Sequence, residues 1–203
     1  MTVGVLAIQG DFAAHACALR RAGHTPAFVR RARDLMAVDA LVVPGGESTA
    51  MLLGIARDGL DSALRQFIAS ARPVLGTCAG AILLARNVSG PVQPSYAALD
   101  IDVERNAYGT QIDSFATSAD VEETPSPFAG LPCVLIRAPR ITRTGPDVTV
   151  NVRVRGAPAL VSAGPVWAAT FHPELTDDLR VVEAVFGAAR NRSDQLRVAR
   201  AQA

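Results

Sequence analysis

Residues 73–82 read Pro73-Val74-Leu75-Gly76-Thr77-Cys78-Ala79-Gly80-Ala81-Ile82. A short apolar run opens into a cysteine with a glycine two residues away on each side, and a second apolar run follows. This spacing predicts a nucleophile elbow, a sharp strand-to-helix turn that presents one reactive side chain. Cβ atoms at the flanking positions would collide in so tight a turn, so glycine is required there. The cysteine then sits in strained backbone at a helix N-terminus, where aligned peptide dipoles favour negative charge on sulfur. Taken alone, the same residues also fit a buried structural cysteine whose glycines cap the neighbouring elements.

Outward from this turn, strands and helices alternate. Residues 3–8 form a branched apolar run without alternation, as expected of a strand covered on both faces. Phe12, His15, Ala16, Leu19 and Ala22 then recur at helical spacing until Gly23. Residues 27–29 give a second strand, Leu35 and Val38 a short helix, and Leu41-Val42-Val43 a third strand broken by Pro44-Gly45-Gly46. Helical stretches over 48–57 and 60–69 lead to the fourth strand at Val74-Leu75, and a helix over 81–85 follows the elbow. Four such alternations predict an α/β fold with a doubly wound, mostly parallel sheet flanked by helices. From 99 to 171, β-rich runs at 135–136, 148–154 and 166–171 lack intervening helices, which predicts added antiparallel strands at one end of the sheet. A helix over 176–190, with Leu179, Val182, Val185 and Phe186 on one face, closes the fold. Residues 1–190 are therefore expected to form one domain, with 191–203 as a loosely ordered C-terminal tail.

The bulk properties narrow the function. Of 203 residues, 49% are hydrophobic and 19% charged, which suits a well-buried core and excludes a disordered chain. A formal net charge of +1 provides no field of one sign to attract nucleic acid or an anionic membrane. The arginines at 30, 31 and 33, and those at 190, 192, 197 and 200, read as solvated helix ends and a basic tail. Three cysteines, Cys17, Cys78 and Cys133, without a C-x-x-C pair, argue against a disulfide scaffold and for a reducing cytoplasm. The apolar start lacks a basic leader and reads as a strand, and no run approaches the ~18 residues that span a bilayer. A soluble protein is expected. Three isolated histidines lack ligand spacing, so no metal site is expected.

Two further segments carry chemistry. Thr170-Phe171-His172-Pro173-Glu174-Leu175 ends an apolar strand, and residues two apart on a strand share a face, so His172 and Glu174 can address one site. A thiolate needs a partner base, and the base needs an acceptor that fixes its tautomer. Alone, this reads better as a surface His-Pro-Glu turn; pairing with the Cys78 elbow reverses that reading and completes a Cys-His-Glu set. Leu41 to Thr49, reading LVVPGGEST, opens a strand into a glycine turn and then a helix. Backbone N–H groups at such a turn can face developing negative charge. It is not a phosphate loop, because the lysine of that motif is missing.

Taken together, strand-PGGES, strand-GTCAG and strand-FHPEL, in this order, resemble the class I (triad) glutamine amidotransferases. More narrowly the chain is similar to the glutaminase subunit of pyridoxal 5′-phosphate synthase. Residues 4–11 (GVLAIQGD), 103–109 (VERNAYG) and 136–139 (IRAP) extend that likeness, which runs from Val3 to about Arg190. The run from Arg105 to Phe115 separates this subunit from amidotransferases for purines, pyrimidines or histidine. The resemblance implies a glutaminase that converts L-glutamine to L-glutamate and ammonia. Cys78 would attack the side-chain amide, His172 would act as base and protonate departing ammonia, and Glu174 would orient His172. Gly46 and Ala79 would supply backbone oxyanion donors. Gly46, Glu47, Ser48, Arg105, Ile136 and Arg137 would hold glutamine, with Arg105 or Arg137 meeting its carboxylate. Ammonia would pass, without any cofactor on this chain, to a separate synthase subunit in a hetero-oligomer. Gln9 resembles the family position that responds to docking of that subunit.

Two rivals share these residues. One is a cysteine hydrolase or chaperone-like protein of the related α/β family, in which the PGGES loop is not expected; the other is a non-catalytic subunit that keeps the fold. The remaining features read plainly: His15 as a helix-surface histidine, His24 as a turn histidine, Cys17 and Cys133 as small core residues, and Val152-Arg153-Val154-Arg155 as a half-exposed edge strand.

Overall fold

Strand β1 (Thr2–Leu6) passes through the Gln9-Gly10 loop into helix α1 (Phe12–Arg21), whose first turn is capped by Asp11 accepting from the Ala14 N–H. A computed structural model of the chain describes residues 1–105, 107, 114–120 and 126–187. After α1 come β2 (Thr25–Val29), a 3₁₀ turn (Ala32–Ala37) and β3 (Ala40–Val43). Helices α2 (Ser48–Arg57) and α3 (Asp61–Ala69), strand β4 (Val74–Thr77) and the short helix α4 (Ala79–Leu84) complete the alternating half. The rest is mainly strand: β5 (Ala85–Ser89), β6 (Leu99–Glu104), β7 (Phe115–Ser118), β8 (Pro132–Leu135), β9 (Arg140–Thr144), β10 (Thr149–Val154), β11 (Ala157–Ala163) and β12 (Val166–Ala169). A 3₁₀ turn (Pro173–Leu175) and a helix α5 over 180–187 end the described chain.

The main sheet has seven strands in the order β10-β11-β12-β4-β3-β1-β2. From β12 to β2 all neighbours are parallel, while β11 runs antiparallel to both β12 and β10. The expected mostly parallel sheet with antiparallel strands at one end is thus present. Its central strands are apolar throughout because both faces are covered. In β3, Leu41 and Val43 pack into one core with Met51, Ile55 and Phe67, while Ala40 and Val42 pack into the other with Leu19, Val181 and Phe186.

The mid-chain departs from the expectation. Only β10, β11 and β12 join the main sheet; β5-β6-β9 and β7-β8 form two small sheets of their own. The helix after the elbow ends at Leu84, and Ala85 already begins β5. The closing helix starts at 180 and not at 176. Local hydrogen bonds explain the delay: Thr176 Oγ1 accepts from the Asp178 N–H, and Asp178 Oδ1 accepts from the Arg180 N–H. Arg21 and Arg180 further tie this segment down by donating to carbonyls of Thr176, Asp177, Pro127 and Ala129. Val152, Arg153 and Val154 do lie on an edge strand, with the two valines buried and Arg153 exposed, while Arg155 falls in the turn that follows. Residues 188–190 of the expected helix, the 191–203 tail, and most of the RNA-G-x-Q-x-D-S-F run (106 and 108–113) lie outside the described residues.

Candidate active site

The sharp strand-to-helix turn expected at Cys78 is present at the C-terminal end of β4. Cys78 has φ 48° and ψ −103°, a left-handed conformation that costs a non-glycine residue about 1–3 kcal/mol. The surroundings hold it there: its N–H donates to the Ala169 carbonyl at 2.8 Å, and its carbonyl accepts from the Ile82 N–H at 3.2 Å. The flanking glycines are needed for the reason expected. A Cβ on Gly76 would stand 2.7 Å from the Gly80 carbonyl carbon, and one on Gly80 would collide with the Val43 carbonyl.

Cys78, His172 and Glu174 meet. Cys78 and His172 stand side by side against Gly45, with the thiol 3.9 Å from the Ile136 carbonyl, and His172 Nδ1 lies 2.7 Å from Glu174 Oε1. The Glu174 side chain is only 1% exposed. The route to this contact differs from the one expected. His172 and Glu174 do not share a strand face, because β12 ends at Ala169 and Pro173 opens a 3₁₀ turn. That turn curls the carboxylate back against the ring. Burial alone would push His172 down and Glu174 up, but hydrogen bonding and charge override it. His172 is raised well above 6.5 by its contacts with Cys78 and Glu174. Glu174 is lowered well below 4.5 by His15 and His172.

A pocket of about 230 Å³ opens onto the sulfur and the imidazole. It is lined by Gln9, Gly46, Glu47, Ser48, Cys78, Ile82, Arg105, Ile136, Arg137 and His172. That is below the roughly 300–1,000 Å³ of drug-sized sites and suits one amino acid. Every residue expected to bind substrate is on its wall. Ala79 is fully buried behind Cys78; as the first residue of α4 its N–H is among those that helix geometry leaves without an intrahelical acceptor.

The PGGES loop is tightly clasped. Glu47 caps α2 by accepting from the N–H groups of Thr49 and Ala50, and its own N–H donates to Gln9 Oε1 at 2.8 Å. Gly46 has φ 147°, and a Cβ there would collide with Gln9 Oε1; one on Gly45 would lie 2.5 Å from His172 Cε1. Arg105 Nη2 donates to Glu47 Oε1 at 3.0 Å and to Thr49 Oγ1 at 3.2 Å. Ser48 Oγ donates to Gln93 Oε1 at 2.9 Å, a partner that the sequence did not single out.

Two minor expectations, for His15 and Cys17, are corrected. His15 is buried (3% exposed) and not on the helix surface, since its turn of α1 faces Thr77 and Glu174. His24 lies in the turn after α1, but its ring is buried edge-on against Phe186. Cys17 is exposed, because it falls between the two inward residues Ala16 and Ala18; Cys133 is in the core as expected. A signal for His15 was present in the sequence: it shares the inward helical stripe with Ala16 and Leu19.

The SNO glutamine amidotransferase family matches residues 5–188. The chain belongs to that family. Among its relatives, the pyridoxal 5′-phosphate synthase subunit PdxT of Solibacter usitatus is 48% identical over 183 residues, covering 88% of this chain and 94% of that protein. PdxT of Deinococcus radiodurans is 44% identical, covering 95% and 100%. A crystal structure of a glutamine amidotransferase superposes with a TM-score of 0.82 at 41% identity, covering 91% of this chain and 97% of that one. The SNO-family chain thus shares both fold and length with its relatives. Among its described residues, no helix is long and apolar enough to cross a membrane.

Proposed function

We propose that this chain hydrolyses the side-chain amide of L-glutamine and passes ammonia to the synthase component of a pyridoxal 5′-phosphate synthase. The observation that carries this is Cys78 and His172 standing side by side on the wall of an amino-acid-sized pocket that the PGGES loop and Arg105 also line. His172 takes the thiol proton, and the sulfur attacks the amide carbon. The oxyanion forms against the N–H groups of Ala79 and Gly46. His172 returns its proton to the departing ammonia, leaving a γ-glutamyl thioester on Cys78. Water, deprotonated by the same imidazole, cleaves the thioester to glutamate and restores the thiol. Glu174 keeps the Nδ1 proton of His172 directed at itself, so that Nε2 faces the sulfur.

Arg105 is the partner for the substrate carboxylate. Its Nη2 is pinned by Glu47 and Thr49, so the guanidinium is already ordered and keeps other N–H donors for a ligand. Arg137 and Ile136 close the facing wall, and Ser48, held by Gln93, faces the same space.

Gln9 couples the site to the synthase. It sits in the β1–α1 loop and grips the PGGES loop at Glu47 N–H, so docking on that loop would reset the backbone around Gly46. Three free cysteines accord with a cytoplasmic setting. The test is co-purification with the synthase component, followed by glutamate release with and without it. Stable association and strong stimulation are expected, with Gln9→Ala reducing the stimulation ratio. Absence of association, or equal rates with and without the partner, contradicts the coupling.

A further inference from the structure

The buried residue His15 has no part in the cycle above. It projects from α1 against the back of Glu174. His15 Nε2 is 3.3 Å from Glu174 Oε1 and 3.0 Å from Thr77 Oγ1, and the side chain is 3% exposed. Thr77, fully buried, is the residue immediately before Cys78. The contacts therefore close a ring: Cys78 to His172, His172 to Glu174, Glu174 to His15, His15 to Thr77, and Thr77 back to Cys78 through the peptide bond.

The chemistry of the ring fixes where the proton lies. An unprotonated Nε2 would set its lone pair against a carboxylate oxygen at 3.3 Å, which is repulsive. Nε2 therefore carries hydrogen and is shared between Glu174 Oε1 and Thr77 Oγ1 as acceptors. Both histidines converge on the same oxygen, Oε1. A carboxylate in a dry environment is costly unless hydrogen-bonded, and His15 supplies the second donor. Its hydrogen bond to Oε1 helps keep Glu174 ionised against the cost of burial.

We propose that His15 is a positioning residue for the Cys78–His172–Glu174 set: it clamps Glu174 so that the carboxylate holds His172 in the tautomer and orientation that serve the sulfur. Thr77 anchors the clamp to the strand that delivers Cys78. This rests on the glutaminase reading above.

The test uses the full-length chain, assayed for glutamate release with the synthase component present. Active sites are counted by covalent labelling of Cys78 with a thiol-reactive glutamine analogue, so that misfolded protein drops out of kcat. His15→Leu removes the donor and keeps an apolar side chain; His15→Gln offers an N–H near the place of Nε2. For His15→Leu, kcat per labelled site is expected to fall roughly 10–100-fold, the range typical of groups that orient another residue, with KM for glutamine little changed. The acid limb of kcat/KM should move to higher pH, because Glu174 then takes a proton more readily. His15→Gln should recover most of kcat and of the pH profile. Should His15→Leu not fold, Thr77→Val, which keeps the β-branched shape and loses the acceptor, should show a smaller fall and the same direction of pH shift. A His15→Leu enzyme within twofold of wild type and with an unmoved acid limb overturns the proposal. So does an equal loss per labelled site in His15→Leu and His15→Gln, or a Thr77→Val enzyme unchanged in both respects. Failure of wild type to be labelled at Cys78 would sink the glutaminase reading instead, which keeps the two failures apart.

Discussion

In the proposed cycle His172 both receives the thiol proton and delivers it to ammonia, so its loss removes two steps at once. His172→Asn is expected to lower glutamate release by roughly 10³–10⁶-fold, and Glu174→Gln to do less harm, as when only the orienting acid of a triad is removed. A His172→Asn enzyme with near-normal turnover would mean that the assigned base is wrong. The same pair ties stability to pH. Glu174, depressed below 4.5, contributes fully above that pH and loses its contribution as pH falls through the depressed value. His172, raised above 6.5, contributes fully below that pH and loses its contribution as pH rises through the raised value. Urea midpoints of wild type and His172→Asn should therefore differ most between pH 4.5 and 6.5 and converge on either side; a difference independent of pH contradicts the pairing. Arg105→Ala should raise KM by roughly 10–150-fold, equivalent to a charge-assisted hydrogen bond of about 1.5–3 kcal/mol, with a smaller effect on kcat. Residue identities at the elbow were legible because a glycine-flanked cysteine states its own steric requirement. The burial of His15 against Glu174 was not, because the two are brought together only by the fold, 159 positions apart in the chain.

Among elements, the strand–turn–helix from β4 to α4 bears the tightest constraint. The Val43 carbonyl occupies the space a Gly80 side chain would need, and backbone cannot swing aside as a flexible side chain can. Gly80→Ala should lower stability by about 1–3 kcal/mol or more, the cost of overpacking, and abolish activity by displacing Cys78. An unchanged urea midpoint would show that α4 can shift without loss. The parallel strands were legible because doubly covered strands are apolar without alternation, as in β1 and β3. The turn after β12 was not: Pro173 cuts the strand and sets a 3₁₀ turn, which brings the Glu174 carboxylate to the imidazole by curvature, where strand alternation had been expected. The late start of α5 likewise depends on side chains of Thr176 and Asp178 capturing backbone N–H groups, an effect that periodicity does not register.

At the scale of the molecule, two apolar cores clamp the parallel sheet and leave its C-terminal edge to carry the chemistry. The three segments with PGGES, GTCAG and FHPEL reach that edge from β3, β4 and β12, which are adjacent in the sheet. Their order in the sequence implied one site, whereas the two small sheets, built from short strands with no helix alternating between them among the described residues, left no comparable trace. That shared edge makes Cys78 the point on which the whole account turns. The most direct measurement is glutamate release by Cys78→Ala, with the synthase component present and at equal folded concentration to wild type. A loss of roughly 10³-fold or more is predicted; a Cys78→Ala protein within tenfold of wild type would contradict the assignment of the nucleophile and with it the mechanism.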